Sequence, residues 1–193
     1  VYLHKTVISC ELMLVEALRR AKQLAMQGTG VFASPALLQF LTANHDRSSF
    51  NDPAILQDFL RLDDHDVMGA VKVWAQHPDK VLSAVCDDLV HRRTYRIRLQ
   101  DRPWEPERIA RIKAAAAKHT GCAPEQADHF GLTGRVVNNA YDPSKDRIDL
   151  HYKDGSLRDI AAASDNHGIL ALSRPVEKWY LAFPRWLGKE WFE

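Results

Sequence analysis

The segment VYLHKTVISCELMLVEALRRAKQLAMQG, residues 1–28, decides the fold. It reads as one long helix. Leu12, Met13, Leu14, Val15, Leu18, Ala21, Leu24 and Ala25 leave little of its circumference polar, which is the pattern of a core helix with other elements packed around it. Glu16 stands one turn before Arg19 and Arg20, where pairs can form on a helix surface. Gly28, followed by Thr29 and Gly30, supplies a stop signal. The pattern opens in mid-helix, with no initiator Met, N-cap or polar lead-in and nothing like a signal or transit segment. The expectation is a piece of a longer protein, cut upstream of Val1.

Further helices follow from their start signals. Ser34-Pro35 and Asp52-Pro53 each place a capping side chain before a proline at the first helical position. Asp63 or Asp64 caps a helix with Val67, Val71 and Trp74 on one stripe, and Pro78 opens another with Val81, Leu82, Val85 and Leu89 buried. The periodicity changes near His91. Residues 94–99 alternate strictly, with Tyr95, Ile97 and Leu99 on one face and Arg96 and Arg98 on the other, as in a half-buried strand. Residues 107–119 return to an amphipathic helix ended by Gly121. Residues 130–137, 148–152 and 179–183 read as strands, Asp154-Gly155 as a type I′ hairpin turn and Tyr141-Asp142-Pro143-Ser144 as another turn. Residues 165–174 read as a loop or short helix, and the aromatic tail from Trp186 either docks or frays. The fold class is therefore α+β: a helical region, 1–91, followed by a small antiparallel sheet backed by a helix, 92–193.

Composition narrows the function classes. Of 193 residues, 46% are apolar and 26% charged, and the net charge of +1 gives no global pull toward nucleic acid or membrane. Cys10, Cys86 and Cys122 are far apart and form no CxxC pair, which predicts reduced structural thiols in a cytoplasmic protein. No apolar run is long enough to span a bilayer. P-loop, GxGxxG, GxSxG and HExxH motifs are missing, so covalent nucleophile catalysis has no support.

Three groups of residues could carry chemistry. The dipeptides His45-Asp46 and His65-Asp66 invite a metal reading, but the first lies in a polar loop and the second in a helix's first turn, where capping explains the acids. Tyr2, His4 and Lys5 share one helix end: at 100° per residue, His4 stands about 200° from Tyr2 and Lys5 about 60° from it, so the end can face two sites. Arg92, Arg93, Arg96 and Arg98 make a basic strand face whose planar guanidiniums suit phosphate oxygens. The alternatives are a solvated face paired with Asp87 and Asp88, or an RNA surface. Tyr95 points away from the arginines, which spoils a mixed basic-aromatic platform and disfavours nucleic acid.

Tyr2-Leu3-His4-Lys5-Thr6 before a long apolar helix resembles a segment of the HD-domain phosphohydrolases, the deoxynucleoside triphosphate triphosphohydrolases above all. Leu62-Asp63-Asp64-His65-Asp66, His91-Arg92-Arg93-Thr94-Tyr95-Arg96 and Asp154-Gly155 with Asp159-Ile160-Ala161 are similar to later stretches of that group, in the same order. The resemblance implies a nucleotide phosphohydrolase in which a metal-bound water attacks phosphorus. It implies Mn²⁺, Mg²⁺ or Fe²⁺ in the parent protein, none bound by this chain, with the metal ligands lying upstream of Val1. It implies Tyr2 as a substrate contact, His4, Lys5, Arg92 and Arg96 as contacts to a dNTP or GTP effector, no catalytic residue on this chain, and a homo-oligomer. The alternative is a non-catalytic module for oligomerisation or effector sensing.

Overall fold

A computed structural model describes residues 4–138, 147–163, 176–188 and 191. Helix α1 spans Lys5–Met26, starting later than the sequence reading because His4 has an extended backbone and occupies the N-cap. Its end is as read: Gly28 takes φ +80°, and the amides of Gly28 and Thr29 bond back to Ala25 and Leu24 at 3.0 and 2.9 Å. Helices α2 (Pro35–Thr42) and α5 (Lys80–Val90) pack on α1, α3 (Pro53–Arg61) on α2, and α4 (Asp64–Trp74) on α5. Ser34, Asp52, Asp63 and Asp79 cap them through side-chain oxygens. Pro78 does not open α5: the carboxylate of Asp79 takes the Leu82 amide and makes Asp79 the cap.

The buried face of α1 carries Ile8, Met13, Ala17, Ala21 and Leu24 against Leu37 and Leu41 of α2, Val71 and Trp74 of α4, and Val81, Leu82 and Val85 of α5. Trp74 is fully buried, its indole N–H donating to the Phe32 carbonyl at 2.8 Å. Two details correct the sequence reading of α1. It has an exposed side, on which Val15 is 44% accessible, and its buried stripe includes Ser9, Glu16 and Arg20. Cys10 is exposed, while Cys86 is buried, its thiol pushed up to about 12 by burial.

Beyond α5 the backbone becomes extended. Strand β1 (Arg96–Gln100) leads to α6 (Pro106–Thr120) and β2 (Leu132–Asn138). Then come β3 (Asp149–His151), β4 (Leu157–Asp159), α7 (Ile160–Ala163) and β5 (Val176–Phe183). The antiparallel sheet has the order β1-β5-β2, with Arg96 opposite Phe183 and Leu132 opposite Ala182. Strands β3 and β4 form a separate hairpin. Its turn is not type I′, which needs positive φ at both central residues. Only Gly155 has it, at +84°, closing a longer loop in which the Gly155 amide bonds the Tyr152 carbonyl. The turn read at 141–144 and the loop read at 165–174 lie outside the described residues.

The chain is α+β, and one buried cluster runs through both kinds of structure. Tyr95, Ile97, Ile112, Phe130, Leu181 and Phe183 join the α1 face in it. The Tyr95 amide meets the Met13 sulfur at 3.3 Å, and the Tyr95 hydroxyl donates to the His129 carbonyl at 3.4 Å. Trp186 docks rather than frays: its ring stacks on His119 at 4.2 Å and its N–H donates to Asp88 at 3.2 Å.

Gly121 ends α6 at φ +66°, and its carbonyl accepts from Lys80 Nζ at 3.0 Å. A Cβ there would meet only that mobile ammonium, at 2.9 Å. Gly121→Ala should therefore cost only backbone strain, about 1 kcal/mol, read as a lower urea midpoint at unchanged slope.

Candidate functional site

The first turn of α1 lies beside the outward face of β1. Lys5, Thr6, Thr94, Tyr95, Arg96, Ile97 and Arg185 line a pocket of about 240 Å³ between them. Alternation along β1 turns Ile97 inward, at 6% exposure, and leaves Arg96 at the pocket wall. Arg185 follows β5 and is clamped by Thr94: its Nε donates to the Thr94 carbonyl at 2.7 Å and an Nη to the Thr94 hydroxyl at 3.2 Å.

The pocket's chemistry is that of an anion site. Among the described residues three cations line it and no carboxylate does. The Arg96 Nε is buried and has no hydrogen-bond partner among the described residues, which an oxyanion would supply. Among the described residues, the first bond along α1 is Ile8 N–H to the His4 carbonyl, and no side chain caps the amides of residues 5–7. No acid sits in that turn. Two larger clefts differ. One, of about 460 Å³ beside Trp186, holds Asp87 and Asp88 with Arg93; the other, of about 580 Å³ beside His129, holds Glu16 with Arg19 and Arg20. Their arginines are already bonded to acids, and Lys80 of the first bonds the Gly121 carbonyl.

Lys5 and Arg96, singled out from the sequence, thus meet in one pocket. His4 precedes it as the exposed N-cap of α1. Tyr2 lies outside the described residues. Arg92 is exposed in the turn after α5, at φ +57°, and does not line the pocket. The pairing with Asp87 and Asp88 belongs to Arg93, which bonds the buried Asp88 at 2.7 Å and also Asp87. Burial raises the Asp88 carboxyl against the pull of Arg93 and Trp186. Sequence reading missed Arg185, a lone basic residue after a proline; only the β1–β5 pairing brings it beside Thr94.

The two His-Asp pairs have local explanations. Asp63 and Asp66 form a capping box at the start of α4. Asp46 caps the 3-10 turn Arg47–Asn51, and bonds from Ser48 and Ser49 hold its carboxyl down at about 2. His45 packs edge-on against Phe40, ring centroids 5.1 Å apart. Among the described residues no three His, Cys, Asp or Glu side chains converge so as to hold a metal ion. No described helix is long and apolar enough to cross a membrane.

Comparison with known structures places this fold beside a phosphohydrolase of Bacteroides thetaiotaomicron. The TM-score is 0.85, with 41% identity, and the match covers 96% of this chain and 46% of that one. The uncharacterized protein YwfO of Bacillus subtilis is 28% identical over 95 residues, 49% of this chain and 20% of YwfO. The chain therefore spans less than half of either relative. No family model matches it.

Proposed function

We propose that this chain is the C-terminal portion of an HD-superfamily, metal-dependent phosphohydrolase acting on nucleotides, and that its own part is to hold phosphate groups. The observation that carries this is the pocket of Lys5, Arg96 and Arg185, with the Arg96 Nε buried and unpartnered. The 41% identity to a phosphohydrolase over nearly the whole chain supports the reaction class. The order of the sequence motifs supports the nucleotide and HD assignment. In this reading the divalent metal is held by residues outside this sequence, Tyr2 touches substrate, and His4, Lys5, Arg92 and Arg96, now joined by Arg185, face a dNTP or GTP effector. The pocket lining has no carboxylate or histidine to serve as a base, which favours binding over hydrolysis at this point. The parent acts in the cytoplasm as a homo-oligomer.

Arg96→Ala and Arg185→Ala should each weaken GTP or dGTP binding to the parent protein by about 1.5–3 kcal/mol, the scale of a charge-assisted hydrogen bond. Lysine at position 96 should restore only part of it, because the fork is lost. Calorimetric titration at two salt concentrations checks both, since the affinity should fall with salt. Unchanged affinity in both alanine variants would leave these side chains as an ordinary surface.

A further inference from the structure

The pocket between α1 and β1 has more with which to hold phosphate oxygens than to hold a base. It encloses about 240 Å³, below the range of about 300–1,000 Å³ in which pockets for drug-sized ligands fall. Its cations come from three separate parts of the chain: Lys5 from the first turn of α1, Arg96 from β1 and Arg185 from the 3-10 turn after β5. An ammonium and two guanidiniums thus bring their positive charges to one small volume.

Most of the neutral groups beside them are already engaged. A base is read by stacking on an aromatic face and by hydrogen bonds to its edge. The Tyr95 ring is 2% exposed and its hydroxyl donates to the His129 carbonyl, so it offers neither. The Thr94 carbonyl and hydroxyl both accept from Arg185, and Ile97 turns inward to the core. Among the described lining residues, Thr6 alone keeps a neutral hydroxyl unbonded. The cations differ. Arg185 uses its Nε and one Nη on Thr94, which fixes the plane of its fork and leaves the other N–H donors over. Arg96 keeps a buried Nε with no partner among the described residues. The open donors of the pocket are therefore charged ones, which suit phosphate oxygens.

We propose that this pocket responds to the phosphate chain alone, so that an inorganic phosphate species fills it as well as a nucleotide does. The inference rests on reading the Lys5 pocket as a phosphate site and deepens it by naming what the site distinguishes: phosphate, and neither base nor sugar. It has a consequence for regulation. A hydrolase that splits a nucleoside triphosphate releases an inorganic phosphate species whichever P–O bond is broken. The parent's own product therefore competes with the nucleotide effector at Lys5, Arg96 and Arg185, and the pocket senses the phosphate that hydrolysis has already released.

The test is calorimetric titration of the purified protein with sodium tripolyphosphate, GTP, dATP and guanosine. Divalent cations are left out, so that the tripolyphosphate stays unchelated. The site is the binding that Arg96→Ala weakens at least about tenfold, the loss of one charge-assisted contact. Arg185→Ala, which leaves β1 untouched, should weaken the same binding. At that site tripolyphosphate, GTP and dATP should have Kd values within about fivefold of one another, a small difference in free energy. Guanosine should not bind, and tripolyphosphate should displace GTP. A nucleotide bound more than about fivefold tighter than tripolyphosphate, or GTP that tripolyphosphate does not displace, shows that base or sugar is read. Either result, or binding of guanosine, overturns the inference and leaves the phosphate site standing. Failure of all three phosphates to bind, or binding that survives both arginine variants, overturns the reading of the Lys5 pocket itself.

Discussion

Asp79→Ala should destabilise the fold by about 3–5 kcal/mol, the cost of removing one partner from a buried ion pair and stranding the other. Arg20 Nε and Nη2 reach the two Asp79 oxygens at 3.0 and 2.6 Å, with side-chain exposures of 7% and 14%. The same carboxylate takes the Leu82 amide at 2.8 Å, so the variant also loses the cap of α5. Asp79→Asn should cost less, because it can still accept at the helix start. The pH dependence has a definite sign. Burial raises the Asp79 carboxyl, but the Arg20 and Leu82 hydrogen bonds and the charges of Arg20 and His77 outweigh it, so the folded pKa is lowered. Its stabilisation is full above the unfolded value near 3.9 and is lost as pH falls through the folded value. The gap between the parent and Asp79→Ala in urea midpoint should therefore close below pH ~4.

His129→Ala should cost about as much, 3–5 kcal/mol, for a different reason. His129 is 4% exposed; its Nδ1 lies 2.7 Å from Glu16 and its Nε2 lies 3.3 Å from Gln23. Without the imidazole, the carboxylate of Glu16, which lies in the buried stripe of α1, keeps the half-exposed Arg19 as its ion partner. The double variant Glu16→Leu/His129→Leu should recover much of the loss, because two apolar side chains leave no orphaned charge. A double-mutant cycle in urea reads the coupling directly. Additive single and double losses would show that the two side chains act independently.

These pairs also mark where the sequence stopped being legible. The helix starts at Ser34, Asp52 and Asp63, the stops at Gly28 and Gly121, and the change to alternation before Arg96 all depend on neighbours within a few residues, and each was readable. The one-turn spacing of Glu16 from Arg19 and Arg20 reads as surface pairing. The positions of Glu16 and Arg20 put them on the stripe of Met13, Ala17, Ala21 and Leu24, and polarity alone argued against burial. What permits it is Asp79 and His129, which no local pattern connects to α1. The candidate pocket divides the same way. Lys5 and Arg96 stand out by their side-chain chemistry and by the motifs they sit in. Arg185 has no sequence signature, because its place depends on the register that sets Arg96 opposite Phe183.

The clamp between Arg185 and Thr94 has a consequence for how the protein is made. Lys5 leaves the ribosome among the first residues of this chain and Arg185 among the last, and β5 is the strand that joins β1 to β2. The sheet centre and the third cation thus arrive together, after the helices that pack on α1 have been made. Closing contacts of such long sequence separation is slow. A nascent chain halted before β5 would carry Lys5 and Arg96 without the strand and clamp that set their spacing. Anion affinity would then appear only once the chain has been made past Arg185, and it would report the assembled sheet rather than its parts.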